Sequence, residues 1–380
     1  MSARATTDVG SMMLVRAGVA VGLALNAALL VAMLLAGQRL NSDFMAFWSF
    51  PRFVAGHDPR LIYDATALMA FQRQLYPGFG SFYPYLYPPT LLGATAWLRL
   101  LGFGPALLVW NALGLAALGL AVRAQFGGRW GAVMALLLAS PAALITASTG
   151  ETAFFTTALM LAGYGWLGKR PWAAGLAFGL LTLKPQLGVM VPFVLLARGE
   201  WKTILAALLV AGALVAVSCV AYPPDLWALW WHTLPRYQGQ YFNATSLNLN
   251  IIVTPAANLV VLGAGQRLAW AVQVLVAAGL VALVWWAARK GRVETVGALA
   301  VAATFIAQPH AYAYDSVALS VVLVWWLAQA GVSAGRLVLA GLVYVGPWLL
   351  LTPWHHWFLF SPVIGALVVA LAGQIAKNDG

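Results

Sequence analysis

The sequence predicts an all-α integral membrane protein. Of the 380 residues, 62% are hydrophobic and only 8% are charged. The apolar residues form uninterrupted runs of membrane-spanning length, rather than the spaced pattern of a soluble core. Neither a soluble domain nor an internal repeat is visible in the sequence, so we expect a single polytopic membrane domain over residues 1–380.

The apolar runs predict about twelve crossing helices. The first run follows a short basic stretch, but no small-residue cleavage site comes before Arg39. We therefore interpret it as a retained helix rather than a signal peptide. The predicted crossings lie at residues 13–37, 105–122, 130–147, 152–168, 171–184, 185–197, 203–222, 267–288, 293–308, 313–330, 336–352 and 357–375.

The positions of the basic residues predict the orientation. The net charge is +11, but Lys and Arg stand singly or in pairs at the ends of the apolar runs. That placement indicates anchoring of helices and argues against binding of nucleic acid. A cytoplasmic N-terminus puts the short basic loops inside, as the positive-inside rule requires. Residues 88–103 then form a helix along the outer interface, and 249–262, interrupted by Pro255, form an interfacial or re-entrant segment.

Two long loops, 38–104 and 223–266, then lie on the outer face. Function is expected there, because loops on a rigid scaffold commonly hold chemistry. We expect a multi-pass protein of the cell inner membrane whose active site faces the periplasm or the exterior. The single cysteine, Cys219, lies in an apolar run, which excludes a disulfide framework or a thiolate metal cluster. No metal and no cofactor are predicted.

Carboxylates are scarce, so each one can be considered separately as a candidate site residue. The expected topology places six of the ten on the outer face: Asp43, Asp58, Asp64, Glu151, Asp225 and Asp315. Asp58 belongs to an Asp-Pro turn, and turn structure explains it. Asp43 follows the first helix among aromatic neighbours, where partial burial suits a general base. A helix cap for the next segment explains Asp43 equally well.

Glu151 and Lys184 stand at two further helix ends on the expected outer side. Glu151 lies at the start of a predicted helix. It therefore either interacts favourably with the positive end of the helix dipole or binds a substrate hydroxyl. Lys184 begins a Lys-Pro-Gln motif where the positive-inside rule gives no reason for a lysine. An anionic lipid phosphate is the favoured partner of Lys184, and snorkelling to the interface is the alternative. Gln186 of the same motif is a candidate contact for a sugar or an acceptor.

A dense polar cluster, residues 308–315, marks the start of a late helix. Such density needs an explanation at a membrane surface. His310 could hydrogen-bond a phosphate or a sugar, and Asp315 could orient it, although local capping also explains Asp315. Tyr314 and Asp315 are therefore candidates for sugar or acceptor contacts.

Two further candidates lie in the outer loops. Tyr87 belongs to an aromatic, proline-rich stretch that could stack on a sugar or simply anchor the interface. Asn248 lies in an amide-rich loop that could contact sugar hydroxyls. The adjacent His355 and His356 cannot point to one helical face, which argues against a metal site there.

Six short motifs follow one another along the chain. They are Asp-Phe at 43–44, Gly-x-Asp-Pro-x-x-x-Tyr at 56–63, Tyr-Pro-Pro at 87–89, Lys-Pro-Gln at 184–186, Ser-Leu-Asn at 246–248 and Pro-His-x-x-x-Tyr-Asp at 309–315. In this order they resemble the family-87 glycosyltransferases, a branch of the membrane GT-C fold. The resemblance covers nearly the whole chain.

The resemblance implies a GT-C-type multi-helix fold and a polyprenyl-phosphate sugar donor, with a mannose-like hexose favoured. It also implies inverting transfer to a lipid or glycan acceptor, without a nucleotide sugar and usually without a metal. The acid after the first helix looks like the general base of the family, which here is Asp43. Lys184 and His310 are suited to stabilise the phosphate as it leaves. Family members commonly have Gly-Gln where this chain has Gly150 and Glu151, so sugar or acceptor recognition is expected to differ.

A polytopic lipid or sugar transporter, or a flippase, is the principal rival. Transporters tend to have repeated halves and polar sites near the midplane of the membrane. Here no repeat is visible and the polar candidates collect on one expected face. That pattern favours an enzyme.

Overall fold

The computed structural model describes residues 16–29, 43–77, 82–241, 249–329, 333–352 and 359–378, together with residues 13 and 31. Of residues 236–241, 250 and 378, only the backbone is described. Within these ranges every regular element is helical, as predicted, and Ile252 and Tyr312 form an isolated antiparallel bridge.

Eighteen α-helices are described and are numbered here in chain order. The first nine are α1 (Arg16–Leu29), α2 (Phe44–Gly56), α3 (Ala65–Leu75), α4 (Thr90–Thr95), α5 (Phe103–Phe126), α6 (Trp130–Leu138), α7 (Pro141–Thr149), α8 (Ala153–Trp166) and α9 (Pro171–Leu180). The next nine are α10 (Val191–Arg198), α11 (Trp201–Ala221), α12 (Leu226–Tyr241), α13 (Pro255–Val261), α14 (Gln266–Lys290), α15 (Val293–Ala307), α16 (Val317–Gln329), α17 (Ala334–Leu349) and α18 (Phe360–Asn378). Short 3₁₀ helices lie at Pro59–Tyr63, Ala96–Leu100, Gly127–Arg129, Leu181–Leu183, Pro185–Gly188, Leu249–Ile251 and Ala313–Ser316.

The helix lengths support a membrane-embedded protein but do not confirm twelve crossings. Four stretches are long and apolar enough to cross a membrane: Phe103–Leu138, Trp201–Ala221, Gln266–Lys290 and Phe360–Lys377. Six apolar helices are shorter: Arg16–Leu29, Pro171–Leu183, Pro185–Arg198, Val293–Ala307, Ala313–Gln329 and Ala334–Leu349. At a rise of about 1.5 Å per residue, these shorter helices fall short of the roughly 30 Å hydrocarbon core.

The predicted crossing at 130–147 is not one helix. α6 ends at Leu138, and α7 begins at Pro141. The physical reason is the Ser-Pro pair: Ser140 Oγ accepts a hydrogen bond of 3.2 Å from Ala143 N, and proline suits the first position of a helix. The continuous apolar composition concealed this break.

The first outer loop folds into a compact helical unit. α2 buries Phe44, Phe47, Phe50 and Phe53 completely. The guanidinium of Arg52 donates hydrogen bonds to four backbone carbonyls: those of Trp48, Leu98, Arg99 and Leu101. These bonds fix α2 against the segment 96–101. Since Asp43 directly precedes α2, its position is fixed with the helix.

The rest of this loop can be compared with the sequence predictions. Residues 88–103 form α4 and a 3₁₀ helix, both too short to cross a bilayer, in keeping with a non-crossing segment. The stretch after Tyr63 forms α3. Asp64 caps it by accepting hydrogen bonds from Thr66 N and Ala67 N. Asp58 likewise accepts from Arg60 N, which confirms a role in the turn.

The end of the second outer loop packs against the late polar cluster. Val253 N donates a 2.8 Å hydrogen bond to Ala311 O, and Thr254 caps α13. The amide of Gln273 on α14 donates to the carbonyls of Ile306 and Ala307 at the end of α15. These bonds hold residues 309–315 in place against α13 and α14.

Candidate functional site

A buried lysine with two carboxylate partners forms the centre of the candidate site. Lys184 Nζ lies 2.8 Å from Asp315 Oδ1 and 3.6 Å from Glu151 Oε2. The three side chains are between 1% and 5% exposed. Lys184 therefore does not reach out to the membrane surface, as the snorkelling alternative required. A buried charge of this kind needs such partners.

A break between two helices places Lys184. The 3₁₀ helix Leu181–Leu183 ends α9, and Pro185 follows the lysine directly. Proline lacks a backbone N–H and disfavours a helical residue before it. Lys184 accordingly leaves the helical region, with φ −133° and ψ 72°. Its side chain turns into the bundle rather than lying along a helix surface.

Glu151 is placed by a left-handed glycine. Gly150 ends α7 with φ +69°, a conformation that glycine adopts without strain. A Cβ on Gly150 would lie only 2.5 Å from Phe44 Cβ, so the α7–α8 corner packs directly on the start of α2. Glu151 Oε2 also accepts a 3.1 Å hydrogen bond from Thr152 N. The carboxylate thus interacts with the N-terminus of α8 and with Lys184 at the same time.

Asp315 is held by the turn that begins α16. Its backbone N donates to Tyr312 O at 3.1 Å, and Thr146 Oγ1 on α7 donates to Tyr314 O at 2.9 Å. Asp315 Oδ1 accepts from Lys184, whereas Oδ2 is buried without a hydrogen-bond partner among the described residues. The second oxygen is therefore available as an acceptor for a ligand.

Asp43 lies at the edge of this charged cluster. Its side chain is half-buried and makes no capping hydrogen bond to α2, so the cap interpretation is not realised. Burial raises the pKa of Asp43 well above its ordinary value, and the negative charges of Glu151 and Asp315 raise it further, while Lys184 opposes them. A carboxylate with a raised pKa is a stronger base once it is ionised.

Tyrosine side chains line the cluster. The ring of Tyr87 packs at a tilt of 53° against Phe47, with ring centroids 5.4 Å apart, and its hydroxyl lies within electrostatic reach of Asp43, Glu151 and Asp315. Burial raises the pKa of Tyr87, which keeps the phenol protonated as a hydrogen-bond donor. The ammonium of Lys184 lies 5.3 Å from the ring centroid of Tyr314.

His310 precedes Asp315 by five positions in the chain, but its side chain is uncharged. Burial lowers the pKa of His310 to about 4. The imidazole is therefore neutral near pH 7, and it can exchange hydrogen bonds with a phosphate or a sugar without supplying a positive charge. Among the described members of the site, Lys184 carries the positive charge.

The other residues considered from the sequence lie next to Lys184 in the chain or outside the described residues. Gln186 is half-buried in the 3₁₀ helix Pro185–Gly188, two positions after Lys184. Asn248, His355 and His356 lie outside the described residues. Within the described ranges, no group of three His, Cys, Asp or Glu side chains could hold a metal ion.

Two buried polar residues, Thr146 and Gln308, were not predicted individually as site residues. Thr146 fixes the Tyr314 carbonyl from a helix more than 160 positions away, and a threonine in an apolar helix gives no sign of such a role. Gln308 is 2% exposed, and neither polar atom of its side chain has a hydrogen-bond partner within the described part of the chain. A buried glutamine beside a Pro-His pair could have been recognised from the sequence as a polar group that needs a ligand.

Comparison with known families identifies the chain. The model of glycosyltransferase family 87 matches residues 85–309, which is more than half of the sequence. The chain belongs to glycosyltransferase family 87. No curated protein and no solved structure matches it.

Membership of family 87 makes the chain a glycosyltransferase, as the motif order predicted. The match includes Tyr87, Glu151, Lys184 and the second outer loop. Asp43 precedes the matched range and Asp315 follows it. In the folded chain these two residues nevertheless interact electrostatically with the matched pair of Glu151 and Lys184.

The arrangement has the parts that sugar transfer requires. A half-buried carboxylate can accept a proton, a buried ammonium can stabilise an anionic leaving group, and phenol and carboxylate oxygens can bind hydroxyls. One carboxylate acting as a base is enough when the leaving group is a stable anion, because such a group does not require protonation by a second acid. The excess of carboxylates over cations is consistent with the raised pKa of Asp43.

Proposed function

We propose that this family-87 glycosyltransferase transfers a mannose-like hexose from a polyprenyl-phosphate carrier to a lipid or glycan acceptor. The reaction takes place on the extracytoplasmic face, which is the periplasmic side of an inner membrane, and it inverts the configuration of the anomeric carbon. The observation that carries the proposal is the convergence of Asp43, which directly precedes α2, with the Lys184 ion-pair cluster. No cofactor takes part.

Asp43 acts as the general base. It removes the proton from the acceptor hydroxyl as that oxygen attacks the anomeric carbon. The bond between this carbon and the phosphate oxygen breaks in the same step, and the polyprenyl phosphate leaves with the bonding electron pair. The protonated carboxyl of Asp43 then returns its proton to water. The raised pKa of Asp43 favours proton abstraction, because a more basic carboxylate is a better match for an alcohol.

Lys184 stabilises the phosphate as it leaves. An ammonium has three hydrogen-bond donors. One is directed to Asp315 Oδ1 at 2.8 Å, whereas Glu151 at 3.6 Å is beyond good hydrogen-bond distance. Donor capacity therefore remains for a phosphate oxygen, and Glu151 is the partner that yields most readily. His310 adds a neutral hydrogen bond to the phosphate.

The sugar and the acceptor occupy the space between the tyrosines and the acids. Tyr87 and Tyr314 provide aromatic faces and phenol groups, and the unpartnered Oδ2 of Asp315 accepts a hydrogen bond from a sugar hydroxyl. Gln186 and Asn248 contribute amide contacts from the adjoining turn and the second outer loop. Glu151 occupies a position at which family members commonly have glutamine. We therefore expect this chain to differ from them in its recognition of the sugar or the acceptor.

The proposal is tested by incubating the purified protein with polyprenyl-phosphate sugars and a membrane lipid extract. Mass spectrometry then follows the products. We expect a glycosylated lipid or glycan with a polyprenyl-phosphate hexose and none with nucleotide sugars. Product formed from nucleotide sugars alone would overturn the donor assignment. Binding or translocation of the donor without any glycosylated product would favour a transporter instead.

A further inference from the structure

A large cavity opens at the end of the helix bundle opposite to the Lys184 cluster. Its volume is about 1170 Å³, and its walls come from the C-terminal part of α8, the N-terminal half of α15, and α16 and α18. Glu151 precedes α8, whereas Lys169, at the cavity, follows it. The 14 residues of α8 span about 21 Å, so the cavity mouth and the candidate active site lie at opposite ends.

The mouth of the cavity is strongly basic. Five cationic side chains contribute to its lining: those of Arg129, Lys169, Arg292, Arg336 and Lys377. A single carboxylate, Glu294, accompanies them and pairs with Lys169 at 3.3 Å. The positive-inside rule explains basic residues at this end of the chain. It does not explain why five of them surround one cavity.

The lining also holds polar atoms that lack partners. Thr157 Oγ1, an Arg336 guanidinium nitrogen and Gln374 Oε1 are buried, and none has a hydrogen-bond partner among the described residues. Buried polar groups are normally satisfied. Two donors and an acceptor left open in one cavity therefore indicate a ligand with both anionic and hydroxyl groups.

The inner wall of the cavity is apolar. It includes Met160, Leu161, Val301, Val321 and Val322. Along α8 the lining extends from Thr157 to Gly165, which is about 12 Å at the rise of a helix. That depth approaches one leaflet of a bilayer whose hydrocarbon core is about 30 Å thick. An acyl chain fits such a wall, and a free phosphate does not need it.

We propose that this cavity binds an anionic phospholipid with a hydroxyl-bearing headgroup, inserted with an acyl chain along α8 and α16. The phosphate lies among the basic side chains at the mouth, with Arg336 as its principal hydrogen-bond donor. The site is separate from the transferase site and does not depend on the proposed reaction. Under the expected orientation it faces the cytoplasmic leaflet.

The test uses the full chain in phosphatidylcholine nanodiscs that contain a minor fraction of phosphatidylglycerol. Native mass spectrometry after partial delipidation counts the lipids that the protein retains. Gly373→Leu fills the cavity, because a Cβ at Gly373 meets nothing within 4 Å. Gly279→Leu is the matched control: Gly279 is also an exposed helical glycine with open space, but it does not line the cavity.

We expect wild type and Gly279→Leu to retain phosphatidylglycerol selectively, and Gly373→Leu to lose it by at least about tenfold. Arg336→Gln and Lys377→Gln should weaken retention, whereas the exposed Arg123→Gln and Lys202→Gln should not. If Arg336→Gln fails to fold, Gly373→Leu still decides the question. Equal retention by Gly373→Leu and wild type would overturn the proposal. So would equal retention of phosphatidylcholine, or displacement of the lipid by inorganic phosphate at the same concentration.

Discussion

Lys184 Nζ lies 2.8 Å from Asp315 Oδ1, although the two residues are 131 positions apart in the chain. Both side chains are buried, and each stands where a helix is interrupted. Glu151 approaches the same ammonium from a third helix end at 3.6 Å. The ion pair therefore fixes the relative positions of α8, α9 and α16 at the candidate site.

Replacement of Lys184 by methionine should destabilise the fold. The substitution keeps an unbranched side chain of similar size but leaves Asp315 and Glu151 buried without a cation. Such a loss typically costs about 3–5 kcal/mol. Chemical denaturation in detergent measures the change. Lys169→Met is the control, since its pair with Glu294 is exposed and should contribute no more than about 1 kcal/mol. Equal losses for the two variants would contradict the account of the buried pair.

Lys184 should also determine donor affinity. Lys184→Arg retains a positive charge and should bind a polyprenyl-phosphate sugar more tightly than Lys184→Met does, provided that both are compared in folded samples. Equilibrium binding of a short-chain donor to each detergent-purified variant provides the measurement. An affinity for donor that does not change when the charge is removed would count against the phosphate role.

The acid limb of the pH profile should report Asp43. General-base catalysis requires the ionised carboxylate, so the rate rises as pH increases through the pKa of Asp43. Burial and the neighbouring acids raise this pKa, and activity should therefore be lost on acidification at a higher pH than an ordinary aspartate would allow. The measurement is kcat/KM against pH at constant ionic strength. A profile that stays flat down to the ordinary aspartate range would contradict the assignment.

Gly150→Ala should reduce the rate of sugar transfer by a larger factor than its loss of folding stability alone would explain. An alanine Cβ would meet Phe44 Cβ at 2.5 Å, and the backbone φ of +69° adds strain of about 1 kcal/mol. Phe44 must then move, and Asp43 moves with it; misplacement by about 1 Å can cost on the order of 100-fold in rate. Turnover and thermal unfolding are measured together.

Gly263→Ala provides the matched control for this effect. Gly263 also has a positive φ, of +88°, but a Cβ there meets nothing within 4 Å. Gly263→Ala should lower the thermal stability through backbone strain but leave the rate of sugar transfer unchanged. If both variants lose activity in proportion to stability, the contact between Gly150 and Phe44 does not position Asp43.

The sequence predicted the individual parts of the site but not their partners. Lys184 and Asp315 each stood out as charges in an apolar setting, and the need for a partner followed from the cost of burial. The pairing of Asp315 with Lys184 could not be deduced, because contacts across 131 positions depend on how the helices pack. The local sequence suggests instead that Asp315 orients His310 or caps the late helix.

Helix boundaries show where the sequence misled. The composition of 130–147 is uniformly apolar, so one crossing was predicted, but Ser140 and Pro141 end one helix and begin another. The signal was present in the Ser-Pro pair. For Asp43, by contrast, local sequence fitted a base and a cap equally well. Only the absence of a capping hydrogen bond in the described structure distinguishes them.

Asp43→Asn provides the most direct test of the central claim that Asp43 is the base. The amide preserves size and removes the ability to accept a proton. Asp58→Asn controls for loss of a carboxylate that accepts hydrogen bonds from Arg60 in a turn. Transfer from a polyprenyl-phosphate hexose is measured in a single turnover with donor already bound. The account predicts that Asp43→Asn is folded, binds donor and forms no product, while Asp58→Asn remains active. Product formation by Asp43→Asn at the wild-type rate would contradict it.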